Sequence, residues 1–522
     1  DAVTMTVDYF KKMETSDPDR IPHFLWNCKM RFGKTFASYQ LAKRMGWTRV
    51  LVLTFKPAVE SAWEDDLLTH VDFKDWEFVS CRAATKKPTC DDSTPLICFG
   101  SFQDLLGKSA SGGIKAKNEW IHLINWDCVI LDEYHYGAWR EGAKELFENE
   151  SSDFSDSGLD IFDEELMPIT TKHYLYLSGT PFRAISTGEF IEQQIYNWTY
   201  SDEQKAKLSW NIRNGKNPYL SLPRVVMLTY KLPEEIRCVT EDEYDYFDLN
   251  EFFATEGSGK SARFVNKEYV QQWLDFICGN YKGGIYNDVR SQNRLKASTP
   301  FSNEYLVDTL RHTFWFLPKV DSCFAMKNLM CEPQIAFFQD YSIVVAAGNQ
   351  AGMGVDAIIP VKEAMSNPDP LSTKSITLSC GKLTTGVTIK PWTGIFILRN
   401  LNSPETYFQA AFRVQSPWTI INRELSSSND IEVLKDDCYV FDFTPNRALK
   451  QIADYSCRLS LDEDNPETKV QDFIKYMPIL AYEDGKIFQM HAESILDVSL
   501  SGTSASLLAR RWESARLVNV DD

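Results

Sequence analysis

The sequence predicts an α/β protein with two parallel-sheet domains in tandem, an insertion in the second and a helical extension at the C-terminus. Three observations carry that expectation. Short β-branched and aromatic runs alternate with helical stretches along most of the chain, the pattern of parallel strands joined by crossover helices. At 522 residues the chain is too long for one hydrophobic core. A hydrophobic content of 43% and an aromatic content of 13% describe an ordered globular chain.

The elements follow in order. The chain opens without methionine, inside what reads as a helix with Val3, Val7 and Phe10 as apolar positions, and is expected to be a piece of something longer. First-domain strands are expected at 24–26, 50–55, 96–99, 128–131 and 174–177. Ala37, Leu41 and Met45 fall at i, i+4 and i+8, so a helix starts at Lys34-Thr35. Gly215, Pro218 and Pro223 mark a linker over 214–223, which sets the first domain at 1–220 and the second at 221–457. Second-domain strands are expected at 225–230, 343–347, 376–379, 395–398 and 439–443, with a polar and aromatic insertion over about 241–321. Residues 458–522 read as helical, with a polar turn at Asp484-Gly485.

Charge and cysteine usage narrow the class. A net charge of −18 argues against a general affinity for nucleic acid, so any such contact uses local patches. The acidic, serine-bearing stretch 145–165 reads as a solvated surface loop. The 12 cysteines are scattered without a C-x-x-C pair or a Cys/His cluster, which points to neither zinc nor disulfides and suggests a reducing, intracellular setting. No apolar run reaches membrane-spanning length, and no membrane partner is expected.

Chemistry concentrates at three strand ends. In Met30-Arg31-Phe32-Gly33-Lys34-Thr35 the Lys34 ammonium can pair with β- and γ-phosphates, and the Thr35 hydroxyl can ligate Mg²⁺. Backbone N–H groups at the start of the following helix would face the anion. The full phosphate-loop pattern has glycine five places before Gly33; here that residue is Cys28. A rival, Gly257-Ser258-Gly259-Lys260-Ser261, also lacks it, follows a poor strand and has no carboxylate motif after it, so it reads as a flexible turn. Asp132-Glu133 ends the apolar run 129–131, where open α/β sheets place ligand-binding groups. Asp132 would hold Mg²⁺ and Glu133 would polarise an attacking water. Ser178-Gly179-Thr180-Pro181 ends the next strand, with hydroxyls able to link a hydrolysis site to a moving neighbour. No nuclease motif of the D…(D/E)-x-K kind and no N-P-P-Y-like methyltransferase motif stands out.

Taken in order, these motifs resemble those of superfamily 2 helicases and translocases, over about residues 25–418. Gly33-Lys34-Thr35 resembles motif I and Asp132-Glu133-Tyr134-His135 a DExH motif II. Ser178-Gly179-Thr180 resembles motif III, Leu53-Thr54-Phe55-Lys56-Pro57 motif Ia, and Gly100-Ser101-Phe102-Gln103 motif Ib. Leu383-Thr384-Thr385-Gly386-Val387-Thr388 is similar to motif V, and the run from Gln409 through Arg413 to Ser416 to motif VI. The pairing of Met30–Thr35 with Phe412-Arg413-Val414-Gln415-Ser416-Pro417-Trp418 is similar to the motors of bacterial ATP-dependent restriction systems of type I, type III and type ISP-like organisation.

The resemblance implies two RecA-like domains with ATP and Mg²⁺ as cofactors. Lys34, Thr35, Asp132 and Glu133 would serve the nucleotide from one domain, with Gln409 and the arginine finger Arg413 from the other. It further implies DNA-backbone contacts by Thr54, Lys56, Ser101, Thr384 and Thr385, and coupling through His135, Ser178 and Thr180. The implied partners are double-stranded DNA and nuclease, methyltransferase or specificity subunits or domains outside this chain, in a bacterial cytoplasm. Two departures stand out. Ser416 occupies the place of the family's second motif VI arginine, and no adenine-reading glutamine precedes Lys34, since Gln40 follows it. If Asp1-Ala2-Val3 is the remnant of that upstream helix, the glutamine lies just before it. The leading expectation is an ATP-driven translocase on duplex DNA. A nucleotide-gated DNA-binding scaffold without processive motion, and a strand-separating repair or RNA helicase, stand as alternatives.

Overall fold

The structure is a computed structural model that describes residues 1–54, 59–81, 94–101, 119–133, 169–179, 190–240, 247–281, 299–348, 358–366, 369–381, 383, 388–421, 431–459, 465–483 and 485–500. These residues divide into two compact units, the first ending at Thr199 and the second starting at Tyr200.

The first unit is built on seven strands: β1 (His23–Cys28), β2 (Arg49–Thr54), β3 (Glu77–Ser80), β4 (Leu96–Ser101), β5 (Cys128–Asp132), β6 (Tyr174–Ser178) and β7 (Ile195–Trp198). They pair in the order β3-β4-β2-β5-β6-β1-β7, and every pairing is parallel. The inner strands read as continuous apolar runs because both faces of a parallel sheet are covered. Helix Ala2–Ser16 turns Val7 and Phe10 into the core formed with Phe24, Trp26, Val52 and Leu175. The helix starting at Lys34 runs to Met45 and buries Tyr39, Leu41 and Ala42, with Ala37 and Met45 partly buried against the same core.

The second unit holds an eight-stranded sheet. Its strands are β8 (Arg224–Tyr230), β11 (His312–Phe316), β12 (Ser342–Val345), β13 (Ser375–Ser379), β14 (Gly394–Ile397), β17 (Asp437–Asp442), β18 (Ile479–Glu483) and β19 (Lys486–Gln489). The short pairs β9 (Thr255–Glu256) with β10 (Arg263–Phe264), and β15 (Thr419–Ile421) with β16 (Ile431–Val433), lie outside it. The sheet order is β12-β13-β11-β14-β17-β8-β18-β19, parallel except for the β18–β19 hairpin. This is the two-domain parallel α/β architecture expected from the alternating pattern.

Three features refine the expected boundaries. The division falls at Thr199/Tyr200, ahead of 214–223, because helix Tyr200–Ser209 packs with the second unit: the Val225 amide donates to the Tyr200 hydroxyl at 2.9 Å, and that hydroxyl donates to the Tyr476 carbonyl at 3.2 Å. The stretch read as an insertion ends in β11, a central strand between β13 and β14. Its run His312-Thr313-Phe314-Trp315-Phe316 is fully buried and largely aromatic, so it lacks the aliphatic look of its neighbours. The inserted helix Lys267–Ile277 sets Trp273 edge-on to Trp315, with ring centres 5.7 Å apart, and so seals this face of the sheet. The C-terminal stretch provides helices Pro466–Tyr476 and Ala492–Leu500, with the β18–β19 hairpin between them extending the sheet.

Candidate nucleotide site

The carboxyl ends of the first sheet gather the candidate residues. In the strand register Ser101 lies opposite Thr54, Thr54 opposite Asp132, and Ser178 opposite Asn27 at the end of β1. The described residues of the first-unit motifs therefore share the carboxyl end of the sheet, as expected for ligand groups of an open parallel sheet.

The turn between β1 and helix Lys34–Met45 is built on two left-handed residues, Arg31 at φ 72° and Gly33 at φ 87°. Gly33 reaches that conformation at no steric cost and caps the helix start, its carbonyl accepting from the Ala37 amide at 2.9 Å. Arg31 is one of only two described non-glycine residues with positive φ; Glu133, at 56°, is the other. Both belong to the candidate site, where backbone strain characteristically collects. Burial draws the Arg31 guanidinium down to about 10, which still leaves it cationic at neutral pH.

The Lys34 ammonium donates to the carbonyls of Cys28 (2.7 Å) and Lys29 (3.3 Å), so the lysine closes over its own turn. This accounts for the missing leading glycine. Cys28 ends β1 with its side chain fully buried, and its contribution to the turn is a main-chain carbonyl that any residue supplies. Burial pushes its thiol up to about 12, against the opposing pull of Lys34, so it stays neutral. Gly179 lies against the same turn: a Cβ there would stand 3.7 Å from the Cys28 carbonyl oxygen and 3.9 Å from the Met30 nitrogen.

Asp132 is 8% exposed, and both carboxylate oxygens are held. One accepts from the Glu133 amide and the other from the Trp63 indole N–H, each at 2.9 Å. Burial first, then the Glu133 carboxylate, raises the Asp132 carboxyl to about 6, while Trp63, Lys34 and the Glu133 amide oppose the rise. The pull of Lys34 on Asp132 has a geometric basis. β6 alone separates β5 from β1, so the lysine and aspartate meet electrostatically across roughly 10 Å of sheet.

A buried carboxylate beside a second carboxylate, on the same end of the sheet as a threonine hydroxyl in the first turn of a helix, offers hard oxygen donors. They fit Mg²⁺, which takes one or two protein ligands and completes its shell with water and phosphate oxygens. Asp132 and Thr35 are the residues that would hold it.

In the second unit, Gln409 lies on helix Pro404–Ala411, which the Ser403 hydroxyl caps, and Arg413 lies in the following 3-10 turn, Phe412–Gln415. Arg413 is 3% exposed. The departure at Ser416 has a local use, since its buried hydroxyl donates to the Arg413 carbonyl at 3.4 Å. Two contacts that anchor this turn had no signal in the sequence. The buried Lys435 ammonium donates to the carbonyls of Lys390, Trp392 and Val414 at 2.8–2.9 Å. The Gln415 amide donates to the Glu203 carboxylate and the Pro223 carbonyl. Trp63 was equally silent, because each pairing joins residues far apart in the chain.

Of the residues expected on DNA, Thr54, paired with Asp132, and Ser101, paired with Thr54, are buried at the carboxyl end of the sheet, as is Ser178 of the coupling set. Lys56, His135, Thr180, Thr384 and Thr385 lie outside the described residues. The rival sequence 257–261 forms the β9–β10 turn, with Lys260 exposed in a three-residue 3-10 helix; strand, turn and helix do not meet there.

No family profile matches the chain. It is similar to the C-terminal part of an assigned type II restriction enzyme and methyltransferase of Mycoplasma pneumoniae, with 28% identity over 545 aligned residues, 95% of this chain and 72% of that protein. Similarity on that scale supports kinship with a restriction-system protein. Among solved structures, the ATP-dependent type ISP restriction-modification enzyme LlaBIII bound to DNA aligns with 91% of the chain at 12% identity and a TM-score of 0.48. A fragment of an assigned HsdR subunit of a type I restriction enzyme from Vibrio vulnificus aligns with 93% at 13% identity and a TM-score of 0.42. The chain spans 29% of the former and 68% of the latter. Both scores are below 0.5, and the fold assignment rests on the two sheets themselves.

Proposed function

We propose that this chain is the ATP-hydrolysing motor of a bacterial restriction system, coupling nucleotide turnover to movement along double-stranded DNA. One observation supports the reading above the others. A lysine-bearing, left-handed turn and the buried Asp132 with its half-buried neighbour Glu133 occupy the same end of a parallel sheet, close enough for Lys34 to bias the charge on Asp132. Phosphoryl transfer asks for little besides positioned charge, and this end has both signs of it. In this reading Lys34 and the turn amides bind the phosphates, and Asp132 and Thr35 hold Mg²⁺. Glu133 orients the attacking water, and Arg413 supplies a cation to the transition state. Asp132 and Thr35 would hold Mg²⁺, which would supply positive charge to offset that developing on the phosphates.

The decisive measurement is ATP hydrolysis with and without duplex DNA, followed by displacement of a triplex-forming strand from linear duplex. Hydrolysis stimulated by duplex DNA together with directional triplex displacement is expected. Hydrolysis with no displacement would leave a nucleotide-gated scaffold. Unwinding of forked or RNA duplexes would instead favour a strand-separating helicase.

A further inference from the structure

We propose that Trp63 is a positioning residue for the acidic motif, and that its indole N–H holds Asp132 in the orientation that receives the metal–nucleotide complex. The inference deepens the nucleotide reading above and rests on it. Trp63 lies in helix Glu60–Thr69 and is 1% exposed. Its Nε1–H donates to Asp132 Oδ2 at 2.9 Å, and Oδ1 accepts from the Glu133 amide at the same distance. One lone pair on each oxygen is thereby committed to an N–H, leaving the other for a cation or a cation-bound water. A carboxylate held on both oxygens cannot swing about χ2, which is how outer-shell donors tune a metal ligand.

The same tryptophan is clamped from the nucleotide side. Tyr39, on the helix that begins with Lys34-Thr35, donates its hydroxyl to the Trp63 carbonyl at 2.7 Å. Its ring meets the indole edge-on, with centres 5.5 Å apart and planes at 84°. Trp63 therefore joins the helix that starts at the phosphate turn to the carboxylate two strands away. A buried indole N–H needs an acceptor. Here that acceptor is the one aspartate of the candidate metal site, although burial alone could have been satisfied by any carbonyl.

The test compares the whole chain with Trp63→Phe, which keeps an aromatic ring against Tyr39 and removes the N–H. Mn²⁺ stands in for Mg²⁺, and its affinity in the presence of a non-hydrolysable ATP analogue is read by electron paramagnetic resonance. Weakening of about 10-fold or more is expected, the usual cost of removing an outer-shell partner. Binding of the analogue without divalent ion should stay within 2-fold on the order-of-magnitude scale of a lost packing contact. The half-saturating Mg²⁺ concentration for hydrolysis should rise in parallel. Site-specific replacement of Trp63 by benzothienylalanine, the same shape without the N–H, repeats the comparison where Trp63→Phe fails to fold. Wild-type Mn²⁺ affinity in either foldable variant overturns the inference. A wild-type chain that binds no Mn²⁺–nucleotide overturns the nucleotide reading instead, so the two failures are distinguishable.

Discussion

Asp132→Asn should make the chain more stable relative to wild type as pH rises, because the wild-type carboxyl sits where its charge is penalised. Its rise from 3.8 to about 6 corresponds to about 3 kcal/mol against the ionised form. Between about pH 4 and 6 the folded chain holds a proton on Asp132 that the unfolded chain has released. Stability contributed by that proton is present below the window and is lost as pH climbs through it. Asn cannot ionise, so the variant escapes the loss. The amide also cannot accept from both Trp63 and the Glu133 N–H, which costs about 1 kcal/mol or more, but at every pH alike. The informative quantity is thus the change in the difference between variant and wild type from pH 4 to pH 8. With about 2–4 °C per kcal/mol for a unit of this size, the variant should gain roughly 6–12 °C on wild type across that range. Differential scanning calorimetry with EDTA present reads it directly. A difference that stays flat with pH would refute the picture of a buried, charge-penalised carboxylate coupled to Glu133.

Other outcomes follow from the proposed function. Lys34→Ala should abolish hydrolysis in a steady-state ATPase assay, while Lys260→Ala, on an exposed hairpin turn, should leave it within about 2-fold; the reverse pattern would move the phosphate site. Glu133→Gln should retain Mg²⁺–ATP in a filter-binding assay while hydrolysis falls by at least about 10²-fold, the scale of a lost general base. Arg413→Ala should lower kcat by about 10³-fold or more with nucleotide affinity little changed, as removal of an arginine finger does. An equal loss in affinity would instead mark Arg413 as a ground-state binding residue.

The ten expected strands all formed because each is a local run of β-branched, aliphatic or aromatic residues, which suits a pleated sheet wherever it lies. The phosphate turn and Asp132-Glu133 were readable for a similar reason. Their chemistry is compressed into a few adjacent residues at a strand end. The strand β11 was not readable as part of the core, since its aromatic run sits next to an inserted segment of similar composition. Nor were Trp63 on Asp132, Lys435 on three carbonyls, or Gln415 on Glu203, which join positions 21 to 212 residues apart.

By itself, then, the sequence determined the α/β class, the two parallel sheets, and the identities of Lys34, Asp132, Glu133 and Arg413 as site candidates. Periodicity and short motifs are properties of neighbours in the chain, so they survive in one dimension. Tertiary structure alone decided that Cys28 serves through its carbonyl and that Arg31 and Glu133 carry left-handed backbones. It alone decided that Asp132 is buried, with an indole N–H on one oxygen and the Glu133 amide on the other. Those properties depend on desolvation and on partners brought in from distant strands, and only the folded sheet supplies either one.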